Sequence, residues 1–262
     1  MSTAETQISD TSETRATGRM VKKIVVGLLC GVLSAFLGLE AMSLLAAQRT
    51  ESQRREVGMA GGECEFEHRV PTWLQFLAGE DSHSFMDYPV IVGVTMAGAK
   101  IGNASLAKLP EIPDLRKLDL HDSQVTSDGL HQLTRWKSLR TLDLGNTPVT
   151  DVTPLAALPH LESLQLNFSQ VRRERLAGLT QLKSLLALGA GFIQVTDQDV
   201  IEIAKCPQLV EVNISASDLG EHGLQPLTSL EQLNMLVLVR AKYAAADLEA
   251  FQAARPGVTI IK

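Results

Sequence analysis

From residue 91 onward the hydrophobic positions recur as one unit: an aliphatic, two variable residues, an aliphatic, one variable, an aliphatic, two variable, a small residue, one variable, an aliphatic. The clearest copies are Leu115-Arg116-Lys117-Leu118-Asp119-Leu120-His121-Asp122-Ser123-Gln124-Val125 and Leu139-Arg140-Thr141-Leu142-Asp143-Leu144-Gly145-Asn146-Thr147-Pro148-Val149. Further copies start at Ile91, Leu161, Leu182, Leu209 and Leu233, with a truncated one at Val258. Successive starts lie 24, 24, 22, 21, 27, 24 and 25 residues apart. A period of this size predicts a solenoid, here of about seven to eight units in an α/β chain. The first half of each unit reads as a short strand, with Leu118 and Leu120 turned inward and Lys117 and Asp119 outward. Stacked copies of it make a parallel sheet on the concave side. In the second half aliphatics recur every third residue, as in Leu130, Leu133 and Trp136 or Val200, Ile203 and Cys206, which suits a turn or two of helix on the convex side. The shorter units after Val149 and Val171 predict tighter 3-10 segments there. The copy at Leu182 departs from the pattern. Ala187 to Val195 is three residues longer than Leu120 to Val125, which predicts a protruding loop at Leu188–Gln194.

Upstream of the repeats the pattern changes character. Residues 24–47 form an apolar run interrupted only by Glu40. As a helix it reaches roughly 36 Å, enough to cross a hydrocarbon core of about 30 Å. The competing reading is a cleaved signal peptide, whose apolar region is usually shorter, about 7–15 residues. We read 24–47 as a single uncleaved transmembrane signal anchor in contact with the lipid bilayer. Gly27, Gly31 and Ala35 make a small-residue stripe that would let two such helices associate, although glycine and alanine are common in membrane helices. Glu40 is either a functional carboxyl or one that reaches the interface. Lys22 and Lys23 abut the span, while Arg49, Arg54 and Arg55 follow it. With nearly all the mass downstream, this favours a cytoplasmic N-terminus, with the solenoid on the extracytoplasmic, periplasmic side of an inner membrane. Residues 1–23 read as a disordered cytoplasmic tail. Residues 48–69, charged and glycine-containing, read as a linker. Residues 70–90, with Val70, Trp73, Leu74 and Leu77 on one helical face and Phe85 and Tyr88 behind, read as the cap of the solenoid's first unit.

Composition removes some functions. The formal charge is −6, a poor match for nucleic acid, whose affinity rests on neutralising phosphates. Aromatic content is only 4%, so the core is built from stacked aliphatics. Cys30, Cys64 and Cys206 form neither a disulfide framework nor a metal spacing. Cys206 shares the inward position of Ile112 and Trp136, which argues against a Cys64–Cys206 bridge.

These units resemble the leucine-rich repeat family. Val125-Thr126-Ser127-Asp128-Gly129-Leu130, Val149-Thr150-Asp151 and Val195-Thr196-Asp197 are similar to a bacterial subclass with a Thr-Asp-x-Gly-Leu turn. The closing segment from Leu248 to Ile261 resembles the end of such arrays, and Trp73 to Asp81 the lead-in of membrane-anchored members. The resemblance covers about residues 70–262. It implies the fold and, for function, ligand binding in general. The asparagine that often closes the strand turn in the family is replaced by Ala99, Ser123, Thr147, Ser169, Ser217 and Ala241.

No catalytic constellation stands out, and no cofactor is implied. His68, His83, His121, His131, His160 and His222 are scattered. Nucleophile elbow, phosphate loop and metalloprotease motifs are absent from the sequence. Asp119 and Asp143, on adjacent strands with His121 nearby, tempt a cation site, but acids at this strand position are ordinary in the family. What remains is a recognition module for a protein ligand. Its expected concave face comprises Lys117, Asp119, His121, Thr141, Asp143, Ser163, Gln165, Asn167, Glu211 and Asn213, with Asn146 and Phe168 just beyond the strands. Met235, Val237 and Val239 make its last part apolar. The alternatives are an assembly component self-associating as a homodimer through its membrane helix, or a cell-envelope sensor of glycan or peptide. Phe168 is the only aromatic expected on the exposed face.

Overall fold

The computed structural model describes residues 41–69, 88–171 and 176–262. The chain divides into two compact units, residues 1–49 with 68–89 and residues 50–67 with 90–262. In the first unit, residues 41–49 are helical and expose Met42, Leu44 and Leu45. Residues 24–40 of the expected span, with Gly27, Gly31, Ala35 and Glu40, lie outside the described residues, as do the tail 1–23 and positions 70–87 of the expected cap. Among the described residues no helix is long and apolar enough to cross a membrane.

The second unit is the solenoid. Its sheet runs in chain order through nine strands. They are β1 Glu63–Arg69, β2 Tyr88–Thr95, β3 Lys117–Asp119, β4 Thr141–Asp143, β5 Ser163–Gln165, β6 Ala187–Gly189, β7 Glu211–Asn213, β8 Met235–Val237 and β9 Thr259–Ile261. From β2 to β9 every pairing is parallel. Val94, Leu118, Leu142, Leu164, Leu188, Val212, Leu236 and Ile260 stand in register down the middle. All except Ile260 at the end are buried, as are the second aliphatics Leu120, Leu144, Leu166, Ala190, Ile214 and Leu238. The convex side is mixed. Short α-helices Asn103–Ala107, Ser127–Leu130, Asp197–Ala204 and Ala245–Ala254 occur there, alongside 3-10 segments His131–Arg135, Thr153–Ala157, Leu176–Gln181 and Gln225–Ser229. The unit after Val149 does use a 3-10 turn, as does that after Val171, but the latter is full-length by register, and two further full-length units use them too.

Two expectations are corrected. Residues 48–69 are not a linker. Residues 41–59 are helical, and Val57 and Ala60 enter the solenoid core. Gly61, at φ 91°, and Gly62, whose added Cβ would lie 2.8 Å from the Met96 side chain, turn the chain tightly into β1. There Glu65 lies over Gly93, which has no side chain to obstruct it, and accepts from Lys117 Nζ at 2.9 Å, while Glu67 pairs with Arg116 at 3.1 Å. The side of the first repeat that has no neighbouring repeat is thus covered from residues 50–67. A strand of alternating glutamates reads as a solvated tether until its cationic partners some fifty residues ahead are known.

The second correction concerns register. No loop protrudes at Leu188–Gln194: Leu188 pairs with Leu164 and Val212 inside β6. The unit starts at Leu185, not Leu182, and Leu182 belongs to the convex row of Ile112, Trp136 and Cys206. The central residues are therefore 24 apart throughout, except for 22 between Leu142 and Leu164. Ala190 in the third aliphatic place and Ile193 in the small place disguised this copy. A local trace of irregularity remains in the positive φ of Gln194, 57°.

Candidate binding surface

The concave face is set by the register. Lys117, Thr141, Ser163, Ala187, Glu211 and Met235 form one outward row, and Asp119, Asp143, Gln165, Gly189, Asn213 and Val237 the next. All the expected strand residues are brought together here. Lys117 is not a free cation, because Glu65 occupies it. Several of the polar side chains also hold the strand exits. Asp119 Oδ1 accepts the His121 N–H at 2.9 Å, Asp143 Oδ1 the Gly145 N–H at 2.7 Å and Asn213 Oδ1 the Ser215 N–H at 2.9 Å. Burial lifts the Asp143 carboxyl above its ordinary value. The Gly145 N–H works against that rise, and the neighbouring Asp119 charge adds to it. The His121 charge also opposes the rise at Asp143, while its Nε2 lies 2.9 Å from Asp122 Oδ2. Among the described residues no set of three His, Cys, Asp or Glu is placed to hold a metal.

In the middle of the face β6 leaves a notch. A Cβ on Gly189 would sit 1.8 Å from Gln165 Oε1, and one on Gly191 2.9 Å from Asn167 Oδ1. The amides of the preceding repeat fill this space: Asn167 Nδ2 donates to Gln165 Oε1 at 2.9 Å, and the Gly191 N–H donates to Asn167 Oδ1 at 2.8 Å. Gln165 and Asn167 are therefore partly committed to the scaffold.

Beyond the strands the backbone turns through a left-handed residue in every repeat: Gly98, Asp122, Asn146, Phe168, Phe192, Ala216 and Arg240. A non-glycine residue there costs roughly 1–2 kcal/mol, and a bulky one is an outlier. Phe168 and Phe192, both at φ 61°, are thus poor choices for the backbone. Their rings stack with centroids 4.4 Å apart and planes 10° from parallel. Phe168 remains 56% exposed, so this rim carries an aromatic step that water does not favour. Clefts of about 480 Å³ and 470 Å³ lie on either side of it, one holding Asp122 and Gln124, the other Arg240 and Lys242. The pattern of alternation missed Phe192 and Arg240. Their signal is the recurrence of positions 122, 146, 168, 192, 216 and 240, legible only once the unit at Leu185 is in register.

Residues 137–181 match the model for two copies of leucine-rich repeats. The two repeats within residues 137–181 are leucine-rich repeats. No curated protein sequence matches the chain. Among solved structures it is similar to internalin C2 of Listeria monocytogenes, with a TM-score of 0.53 at 21% identity, over 68% of this chain and 76% of that one. An internalin F of the same organism aligns with a TM-score of 0.43 at 16% identity, over 72% and 66% of the two chains. A leucine-rich repeat protein of Leptospira interrogans aligns at 0.45 and 20%, over 61% and 39%. Along the array the small residues that close the strand turns behave unequally. Thr147 Oγ1 donates to the Leu144 carbonyl at 2.6 Å, whereas the buried Ser169 and Ser217 hydroxyls lack a hydrogen-bond partner.

Proposed function

We propose that the chain is a membrane-anchored bacterial recognition module whose solenoid takes a protein partner on its concave face and performs no chemistry of its own. The observation that carries this is the Asp119–Asp143 pair, register partners on β3 and β4, with Lys117 beside Asp119 already claimed by Glu65. A partly desolvated acidic pair gains most from a cationic group on a partner. Met235, Val237 and Val239, half-buried further along the same face, offer that partner an apolar anchor. The anchor reading is supported by the apolar run 24–47 and by exposed Met42, Leu44 and Leu45 in its described end. The bacterial setting rests on the Thr-Asp-x-Gly-Leu turns, and the inner-membrane, extracytoplasmic placement on Lys22 and Lys23.

Proximity labelling with a ligase fused to the full-length chain would name the partner. Asp119→Asn with Asp143→Asn, which keep acceptors for the His121 and Gly145 N–H groups, should then abolish its capture while leaving Tm unchanged or higher. Capture that survives both this change and Phe168→Ala would put the site elsewhere. One observation favours the envelope-sensor alternative, namely that Phe168 is not alone but stacked with Phe192. Binding of a soluble glycan fragment that is lost in Phe168→Ala and untouched by the aspartate changes would select it.

A further inference from the structure

We propose that two copies of the chain associate rim to rim and antiparallel, about a twofold axis passing between Phe168 and Phe192. The left-handed row is self-complementary about that point. Counting outward, Phe168 of one copy meets Phe192 of the other, Asn146 meets Ala216, and Asp122 meets Arg240. The row beside it behaves alike: Gln170 meets Gln194, Pro148 meets Asp218, and Gln124 meets Lys242. No like charges face one another in either row, and Lys100 falls outside the overlap. The two clefts are exchanged by the same axis. One is lined by a single charged residue, Asp122, and the other by Asp218, Arg240 and Lys242, of which Lys242 pairs with Asp218 at 3.4 Å. Arg240 of each copy thus meets the cleft that holds Asp122 of the other.

Three features make the fit physical. Strands stack at about 4.8 Å, so Asp122 and Arg240 lie about 24 Å apart along the rim, and an antiparallel copy meets it in step. Such a contact is isologous and closes at two, without fibres. The two stacked pairs also cover the exposed Phe168 ring, which the fold places in a left-handed conformation that phenylalanine disfavours. The interaction uses the rim and leaves the strand rows of the concave face open, so it does not rest on the function proposed above, with which it shares only Phe168.

The test is energy transfer between donor- and acceptor-labelled full-length chains. Asp122→Arg and Arg240→Asp should each weaken self-association by at least about tenfold, because each creates two like-charge contacts. Mixing the two single variants should restore association, since one then supplies only cations and the other only anions. The double variant should restore it with itself. Arg240→Asp should leave the thermal melt unchanged, because its side chain is exposed, whereas Asp122→Arg should lower it slightly, since Asp122 accepts from Asn146 Nδ2 and lies 2.9 Å from His121 Nε2. Association by the single variants equal to the parent would overturn the proposal, and that is the result expected if the Gly27/Gly31/Ala35 stripe drove dimerisation. So would failure of both the mixture and the double variant to associate, or a parent chain that shows no transfer.

Discussion

Asp143 carries a cost that its position on the concave face makes informative. Its folded-state carboxyl lies above the ordinary value of 3.8 because burial disfavours the charge, so in the window between the two values the folded chain holds more protons than the unfolded one. Stability therefore falls as pH rises through that window, and the deficit persists at neutrality. Asp143→Asn keeps an acceptor for the Gly145 N–H and removes the charge. It should raise Tm at about pH 7 and lose that advantage at about pH 3, below the unfolded value, as paired thermal melts would record.

At the scale of elements, the register of β6 can be tested energetically. Leu142→Ala should cost about 2–5 kcal/mol in denaturant unfolding, and Leu188→Ala a similar amount, because both are central residues of parallel strands with neighbours on each side. A loss under about half a kcal/mol at Leu188 would mean a surface loop after all. The elements differ in how legible they were. In β3 and β4 leucine fills every aliphatic slot, so alternation alone fixes strand, face and start. In the β6 unit Ala190 and Ile193 weaken the pattern, and Leu182 from the convex row supplied a false beginning. β1 was hidden for another reason: its glutamates are satisfied by Lys117 and Arg116, and no local window contains that pairing. Of the binding surface, the strand residues were readable from period two. The aromatic step was not, since a left-handed backbone leaves no mark in hydrophobic alternation.

For the whole molecule, orientation decides what the solenoid can meet. A reporter active only outside the cytoplasm, fused after Lys262, should give signal, and the full-length chain should sediment with membranes. Signal from a cytoplasm-only reporter would invert the arrangement, and a mature chain beginning near Gln48 would remove the anchor. The even spacing of the strands has a further consequence, one of timing. Each strand from β3 onward pairs with one only 22 or 24 residues behind it. No native pairing among them waits for a distant segment to be synthesised, so loop closure stays short and folding can follow the growing chain repeat by repeat. Trp136 and Leu139 can be sealed beneath finished turns while Phe251 is still untranslated, and the hydrophobic surface exposed at any moment is that of the newest repeat.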